Sequence, residues 1–207
     1  LSDEISVRMS DSVNSAPPMD LFATRPDRKG PKTIAIILIL GSISMGLVAY
    51  GDLSLANTDD LSQEELDALL INVREANDQN ITDAEYQDFH DEARDSGAYT
   101  IRGVSVLFGS IAIGFGGIQL LRLKSIGPKS ALAGASVAAI GGVYANYLIY
   151  NISVEMLPPA MILANKISGY LCGFCMMICA ATAILPLMNA SARAALDQRV
   201  QLVIEEE

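Results

Sequence analysis

The chain has 207 residues, 51% of them hydrophobic and 6% aromatic, with no Trp and a formal charge of −10. Its apolar residues come in long blocks separated by very polar stretches, where a soluble domain would spread them periodically. No basic stripe with interleaved aromatics is present, which argues against a nucleic-acid partner. Three cysteines confined to one block cannot build an extracellular disulfide framework.

A helix needs about twenty largely apolar residues to cross the hydrocarbon core of a bilayer. Four blocks qualify: 33–50, 101–123, 130–150 and 160–188. They do not alternate in the roughly ten-residue units of a membrane barrel. The fold class that follows is an all-α integral membrane protein, a four-transmembrane-helix bundle with an extracytoplasmic acidic helical hairpin between spans 1 and 2.

In chain order, residues 1–32 are polar, carry four prolines and close on Arg25, Arg28, Lys29 and Lys32, the composition of a disordered tail. Met9 and Met19 leave the true start open. The first block is longer than the core of a signal peptide and has no clean small-x-small cleavage site after it, so it reads as a span. Gly41, Ser42, Ser44 and Gly46 in its middle are residues that let helices approach closely in lipid.

Residues 51–99 hold fourteen Asp/Glu against Arg74 and Arg94. Ser62-x-x-Glu65 and Thr82-x-x-Glu85 are capping boxes. The first precedes Leu66, Leu69, Leu70 and Val73, and the second precedes Tyr86, Phe89 and Ala93, both at helical spacing. The stretch predicts a helical hairpin with one apolar face on each arm, packed on the other arm, on the bundle or on a partner. Residues 77–86 resemble the second half of a calcium-binding EF-hand loop and its exit helix. Arg74 and Gln79 fall where that loop needs a ligand and a glycine, so two capped helices with a polar turn is the preferred reading.

The second span contains Gly103, Gly109, Gly114, Gly116 and Gly117, a close-packing composition. A basic link with Arg122, Lys124, Lys129 and the breaker pair Gly127–Pro128 follows. In the third span Gly134, Ala138 and Gly142 stand four apart, a small-xxx-small face. Tyr144, Tyr147 and Tyr150 cluster at its far end as an interfacial belt. Residues 190–207 form a polar tail. The N-terminal tail, the basic link and the C-terminal tail together hold ten of the fourteen Lys/Arg. Basic loops stay in the cytoplasm, so a multi-pass protein of the cell membrane is expected, with both termini cytoplasmic and 51–99 outside. Asn-x-Ser/Thr triplets at Asn80 and Asn151 then face outward, and the one at Asn189 faces inward.

Two sets of residues are candidates for chemistry. Asn146, Asn165, Lys166 and Tyr170 are candidates for an outer polar pocket for a ligand or ion, with interhelical hydrogen bonding as the rival reading. Lys166 needs a partner, such as Glu155, if the fourth span begins at Pro159, and snorkels to the outer surface if it begins at Ile167. No acidic residue is read inside a span, which counts against a proton-coupled pump. His90, the sole histidine, reads as a surface residue.

Cys172, Cys175 and Cys179 share one helix face. They are read first as small, polarizable core residues, with no metal site, although thiolates together with Met176 would suit Cu(I). The placement of Cys172-x-x-Cys175 near the outer end of a span, in a chain of four spans, resembles the vitamin K epoxide reductase and bacterial disulfide-forming quinone oxidoreductase families. That resemblance implies a thiol-disulfide oxidoreductase in which Cys172 and Cys175 are catalytic and a quinone is the cofactor. It covers only this pair and the span count; those families carry a second cysteine pair outside the active helix, and residues 51–99 have no cysteine.

The first expectation is therefore a non-enzymatic membrane protein without a cofactor. It acts through assembly: Gly109, Gly114, Gly134, Ala138 and Gly142 pack helices, and the acidic outer loop binds a partner. Its partners are the lipid bilayer and either further copies of itself, as an oligomeric pore, or another membrane protein, as its accessory subunit. The thiol oxidoreductase is the alternative.

Overall fold

A computed structural model describes residues 26–76 and 81–196, with no strand among them. The tails 1–25 and 197–207 lie outside the described residues, as do the turn at 77–80, with its calcium-loop likeness, and the Asn80 triplet. Four helices are long and apolar enough to cross a membrane: α1 (Lys29–Asn57), α4 (Ala98–Leu121), α5 (Ile126–Met156) and α6 (Pro159–Met188). Two short helices, α2 (Gln63–Ala76) and α3 (Asp83–Asp95), stand between α1 and α4.

α4 is the central rod, packed along its length against α1 on one side and α5 on the other; α6 leans on α5. In α1 the buried positions are Pro31, Ala35, Leu38, Ser42, Ala49 and Asp52, alternating by three, four or seven residues on a single stripe. α4 meets α5 through glycine. A Cβ built on Gly109 would lie 2.6 Å from the Ala138 Cβ and 2.8 Å from the Gly134 carbonyl oxygen. One on Gly116 would lie 2.6 Å from the Gly127 carbonyl oxygen. Backbones are in van der Waals contact there, which only residues lacking a Cβ allow. On its other side Gly114 faces Ser42 and Gly117 faces Ile39 and the Ala35 carbonyl oxygen of α1.

The helices outrun the apolar blocks. α1 continues past Tyr50 through Asp52 to Asn57, because its polar end stays packed on α4. Gly127 and Pro128, expected to break the chain, lie in the first turn of α5. A proline is tolerated there because its missing N–H has no helical acceptor in any case. α6 starts at Pro159, so Lys166 lies two turns inside a helix and not at its mouth. Gly97 joins α3 to α4 with φ +75, a left-handed turn that glycine makes without steric cost.

α2 and α3 cover one end of the bundle, here called the lobe end. Both capping boxes form: the Ser62 and Thr82 backbone N–H groups each donate to a carboxylate oxygen of Glu65 and Glu85 at 2.9 Å, and the Glu65 and Glu85 N–H groups return to the two hydroxyls. Leu70, Ile81, Phe89 and Ala93 form one apolar cluster with Tyr99 of α4 and Ile149 of α5; α3 packs directly on α4 and α5, and α2 joins through Leu70 and through Gln63, which donates to Asp83 of α3 at 2.9 Å. Leu66 is buried and Leu69 is 47% exposed, which splits the apolar face expected for α2. At the opposite, tail end the Asp27 N–H donates to the Ser191 carbonyl oxygen at 3.0 Å, and a helix over 190–196 buries Ala192, Ala195 and Leu196 under the bundle.

Candidate functional site

Two polar groups sit side by side near the lobe end. The first is an ion pair. Asp52 of α1, its side chain 6% exposed, receives Arg102 of α4 in a fork: Nε donates to Oδ2 at 2.9 Å and Nη2 to Oδ1 at 2.5 Å. Nη1 of Arg102 donates to Oδ1 of Asn146 on α5 at 3.3 Å, and the guanidinium lies 6.0 Å from the centre of the Tyr99 ring. A planar fork satisfies a carboxylate in two directions at once, the geometry in which a buried pair holds best. Three helices are thereby pinned through one guanidinium.

The reading that no acid lies within a span is corrected here: Asp52 is carried by a membrane-length helix and is buried. The apolar block ends at Tyr50, short of Asp52, and Arg102 stands at the very start of the second block, so neither partner stands out in the sequence. The usable signal was the spacing, since Asp52 stands three residues after Ala49 and ten after Ser42, on the stripe that α1 buries. His90 is corrected too. It is 1% exposed, lies beneath the α1–α2 link, donates from Nε2 to the Thr58 carbonyl oxygen at 3.2 Å and packs 5.5 Å from the Tyr99 ring. Arg94 ties the same link down through the Thr58 and Asp59 carbonyl oxygens at 3.1 and 2.8 Å.

The second group lines a groove of 640 Å³ between α5 and α6. Asn146, Asn165, Lys166 and Tyr170 all lie on it, together with Tyr147 and Tyr150. The Lys166 Nζ lies 5.9 Å from the centre of the Tyr150 ring. No carboxylate within 4.0 Å of Lys166 is found among the described residues, and Glu155 is exposed elsewhere on α5. Deeper along both helices the lining turns apolar: Val143 and Ala139 on α5, Gly173, Phe174 and Met177 on α6.

Asn146 belongs to both groups, and its orientation follows from chemistry. Arg102 can only donate, so the Asn146 oxygen must face it. The amide nitrogen then faces α6, where Nδ2 lies 3.8 Å from the place a Gly169 Cβ would occupy.

The cysteines are free. Cys172 packs against a cluster of Ala49, Val106, Ala138 and Met176, while Cys175 is exposed on the outside of α6. Among the described residues no three His, Cys, Asp or Glu side chains converge as metal ligands. Of the expected packing residues, Gly109, Gly134 and Ala138 meet at the α4–α5 contact and Gly114 meets α1. Gly142 is buried, but a Cβ there would meet nothing within 4 Å; its neighbour Gly141 is the one pressed against Ser105. Comparison of the chain with family models, curated proteins and solved structures gives no match.

Proposed function

We propose that this protein crosses the cell membrane four times with its tail end in the cytoplasm and its lobe outside, and that it works without catalysis by presenting the acidic lobe to a partner protein. One observation carries the reading: charge is sorted between the two ends of a single bundle. Arg28, Lys29, Lys32, Arg122, Lys124, Lys129 and Arg193 gather where α1 begins, α4 gives way to α5, and α6 ends. The stretch 51–99 at the other end carries the fourteen acids. Basic residues are retained on the cytoplasmic side, where anionic lipid also attracts them.

The lobe is suited to be a docking surface because α3 is fastened to the α1–α2 link by Arg94 and His90 and packs on Tyr99 of α4, while Asp60, Glu64, Asp88 and Glu92 point to solvent. Leu69 and Ile71, 47% and 52% exposed, add an apolar element to the acidic surface. A basic partner with an apolar anchor is the complement. The glycines of α4 and α5 are used inside the bundle, so assembly is assigned to the lobe and not to the small-residue faces.

Single cysteines placed at Asp88 and Lys124 in a background lacking Cys172, Cys175 and Cys179 test the orientation. A membrane-impermeant maleimide labels Asp88→Cys on intact cells and Lys124→Cys only after lysis. Labelling of both from the same side would sink the four-span reading. The partner is tested by the Asp60→Asn, Glu64→Gln, Asp88→Asn, Glu92→Gln variant, which keeps the fold and loses the co-purifying subunit in mild detergent. Unchanged co-purification would remove the lobe as the docking surface.

A further inference from the structure

The groove between α5 and α6 has a direction. At its lobe end it is lined by Lys166, by Asn146 with its amide nitrogen turned away from Arg102, and by Tyr147 and Tyr150. Toward the middle of the bundle it is lined by Val143, Phe174 and Met177 over a floor of Gly169 and Gly173. From Lys166 to Met177 the helical rise gives this path a length of about 16 Å. The polar head and the apolar track lie on the same two helices in the order in which a membrane lipid standing beside them would meet headgroup and acyl chain.

The charge balance at the head is one-sided. Asp52 is occupied in both oxygens by Arg102, so that pair contributes no net charge. Lys166 has no carboxylate partner among the described residues. The ammonium is exposed on the groove wall over the Tyr150 ring, with Asn146 on the facing helix and no carboxylate beside it, so an anion is the complement the protein itself does not supply. A lysine that merely snorkels needs no slot beneath it. Gly173 has nothing within 4 Å of where a Cβ would stand, and Tyr170, Leu171 and Phe174 on the same helix face outward at 70%, 61% and 57% exposure. The slot is therefore open sideways, toward the bilayer, if α6 spans it.

From this we infer that the α5–α6 groove is a binding site for one anionic phospholipid of the leaflet at the lobe end. Its phosphate sits on Lys166 and the Asn146 amide, and one acyl chain lies along Gly169 and Gly173. The inference rests on the four-span reading but not on the lobe's having a partner.

Native mass spectrometry of the full chain in detergent, titrated separately with phosphatidylglycerol, phosphatidylcholine of the same chains and oleate, tests it. The expected result is one retained phosphatidylglycerol per chain, bound more tightly than phosphatidylcholine. Lys166→Gln weakens phosphatidylglycerol about fivefold and leaves phosphatidylcholine alone, the size expected for one basic residue at an anionic surface. Lys124→Gln, at the tail end, changes neither. Gly173→Leu, which fills the slot without touching the head, lowers retention of both lipids. Equal binding of the two phospholipids, no effect of Lys166→Gln, or tighter binding of oleate than of phosphatidylglycerol would each overturn the assignment. So would a dimer that replaces the lipid adduct and dissociates on Gly173→Leu, since the groove would then hold a second copy. Reversed labelling, with Lys124→Cys reached on intact cells and Asp88→Cys only after lysis, keeps the four spans, moves the site to the other leaflet and leaves lipid retention unchanged, which separates the two proposals.

Discussion

α5 has two seams, and they are built on opposite plans. Toward α4 it presents Gly127, Ala131, Gly134 and Ala138, and the two backbones touch. Toward α6 it presents Val143, Asn146, Tyr147 and Tyr150, and a 640 Å³ groove remains. α4 buries ten of its residues, whereas α6 buries only Met176, Ala183 and Pro186. Close packing of small residues is what holds helices together in lipid, because exclusion of water no longer does. The α1–α4–α5 group is thus the rigid frame, and α6 is attached to it along one side with room for something between.

The largest expected effect comes from breaking the frame's charged pin. Asp52→Ala leaves Arg102 buried against an apolar neighbour and costs about 3–5 kcal/mol of stability. The double replacement Asp52→Leu with Arg102→Leu recovers most of that loss, because the isolated charge and not the missing attraction is what hurts. Thermal unfolding in detergent checks both. A single and a double variant with equal loss would mean that the pair holds α1 on α4 by attraction alone.

Next in size is Gly109→Leu. Its side chain must displace the Gly134 carbonyl oxygen at 2.8 Å and the Ala138 nitrogen at 3.3 Å from the new Cβ. Backbone cannot swing aside, so the cost reaches about 3 kcal/mol, the upper end for overpacking. Gly173→Leu on the open seam costs less than 1 kcal/mol on the same scale, since its Cβ has free space. Equal melting temperatures for the two variants would erase the distinction between the seams.

A smaller effect separates the lobe from the bundle. Thr82→Ala removes the hydroxyl of one capping box and costs about 1 kcal/mol, read as faster amide exchange in α3 with α4 unchanged. The pH dependence has the same origin. Glu65 and Glu85 are held below the usual carboxylate range, chiefly by their hydrogen bonds to Ser62 and Thr82. Their contribution is complete above the unfolded carboxylate value and is lost as pH falls through the lower folded values. The lobe helices therefore loosen on acidification, before the bundle does. Exchange rates in α2 and α3 that are flat down to pH 3 would remove the caps from the account.

What the sequence made legible follows the same division. Long apolar blocks and capping boxes are local signals, and the four long helices and both caps are found. The Asp52–Arg102 pair was illegible because each partner sits within a turn of an apolar block's edge, where a charge reads as a boundary; only the burial stripe on α1 shows that the helix continues inward. His90 was misread because nothing near it in the chain reveals that Thr58 and Tyr99 close over it. Small-residue spacing located the α4–α5 seam at Gly134 and Ala138, but spacing alone could not tell Gly141 from Gly142. That choice depends on how α5 is rotated against α4, which only the assembled bundle fixes.

That rotation sets the smallest and sharpest prediction. Gly134, Gly142 and Gly173 all stand in helix interiors, where exchange of Gly for Ala raises helix stability by about 1 kcal/mol when nothing else changes. At Gly142 and Gly173 a Cβ meets nothing within 4 Å, so Ala there leaves the melting temperature unchanged or raises it by a few degrees. At Gly134 the same methyl meets the Gly109 carbonyl oxygen at 2.7 Å and the Ala112 Cβ at 2.8 Å, and α4 must move away, which outweighs the gain in propensity. One substitution made at three positions should therefore change sign between the closed seam and the open space beside it. A loss at Gly142 as large as at Gly134 would mean that α5 is turned by about one residue from the orientation described, and with it that Asn146 no longer faces both Arg102 and the groove.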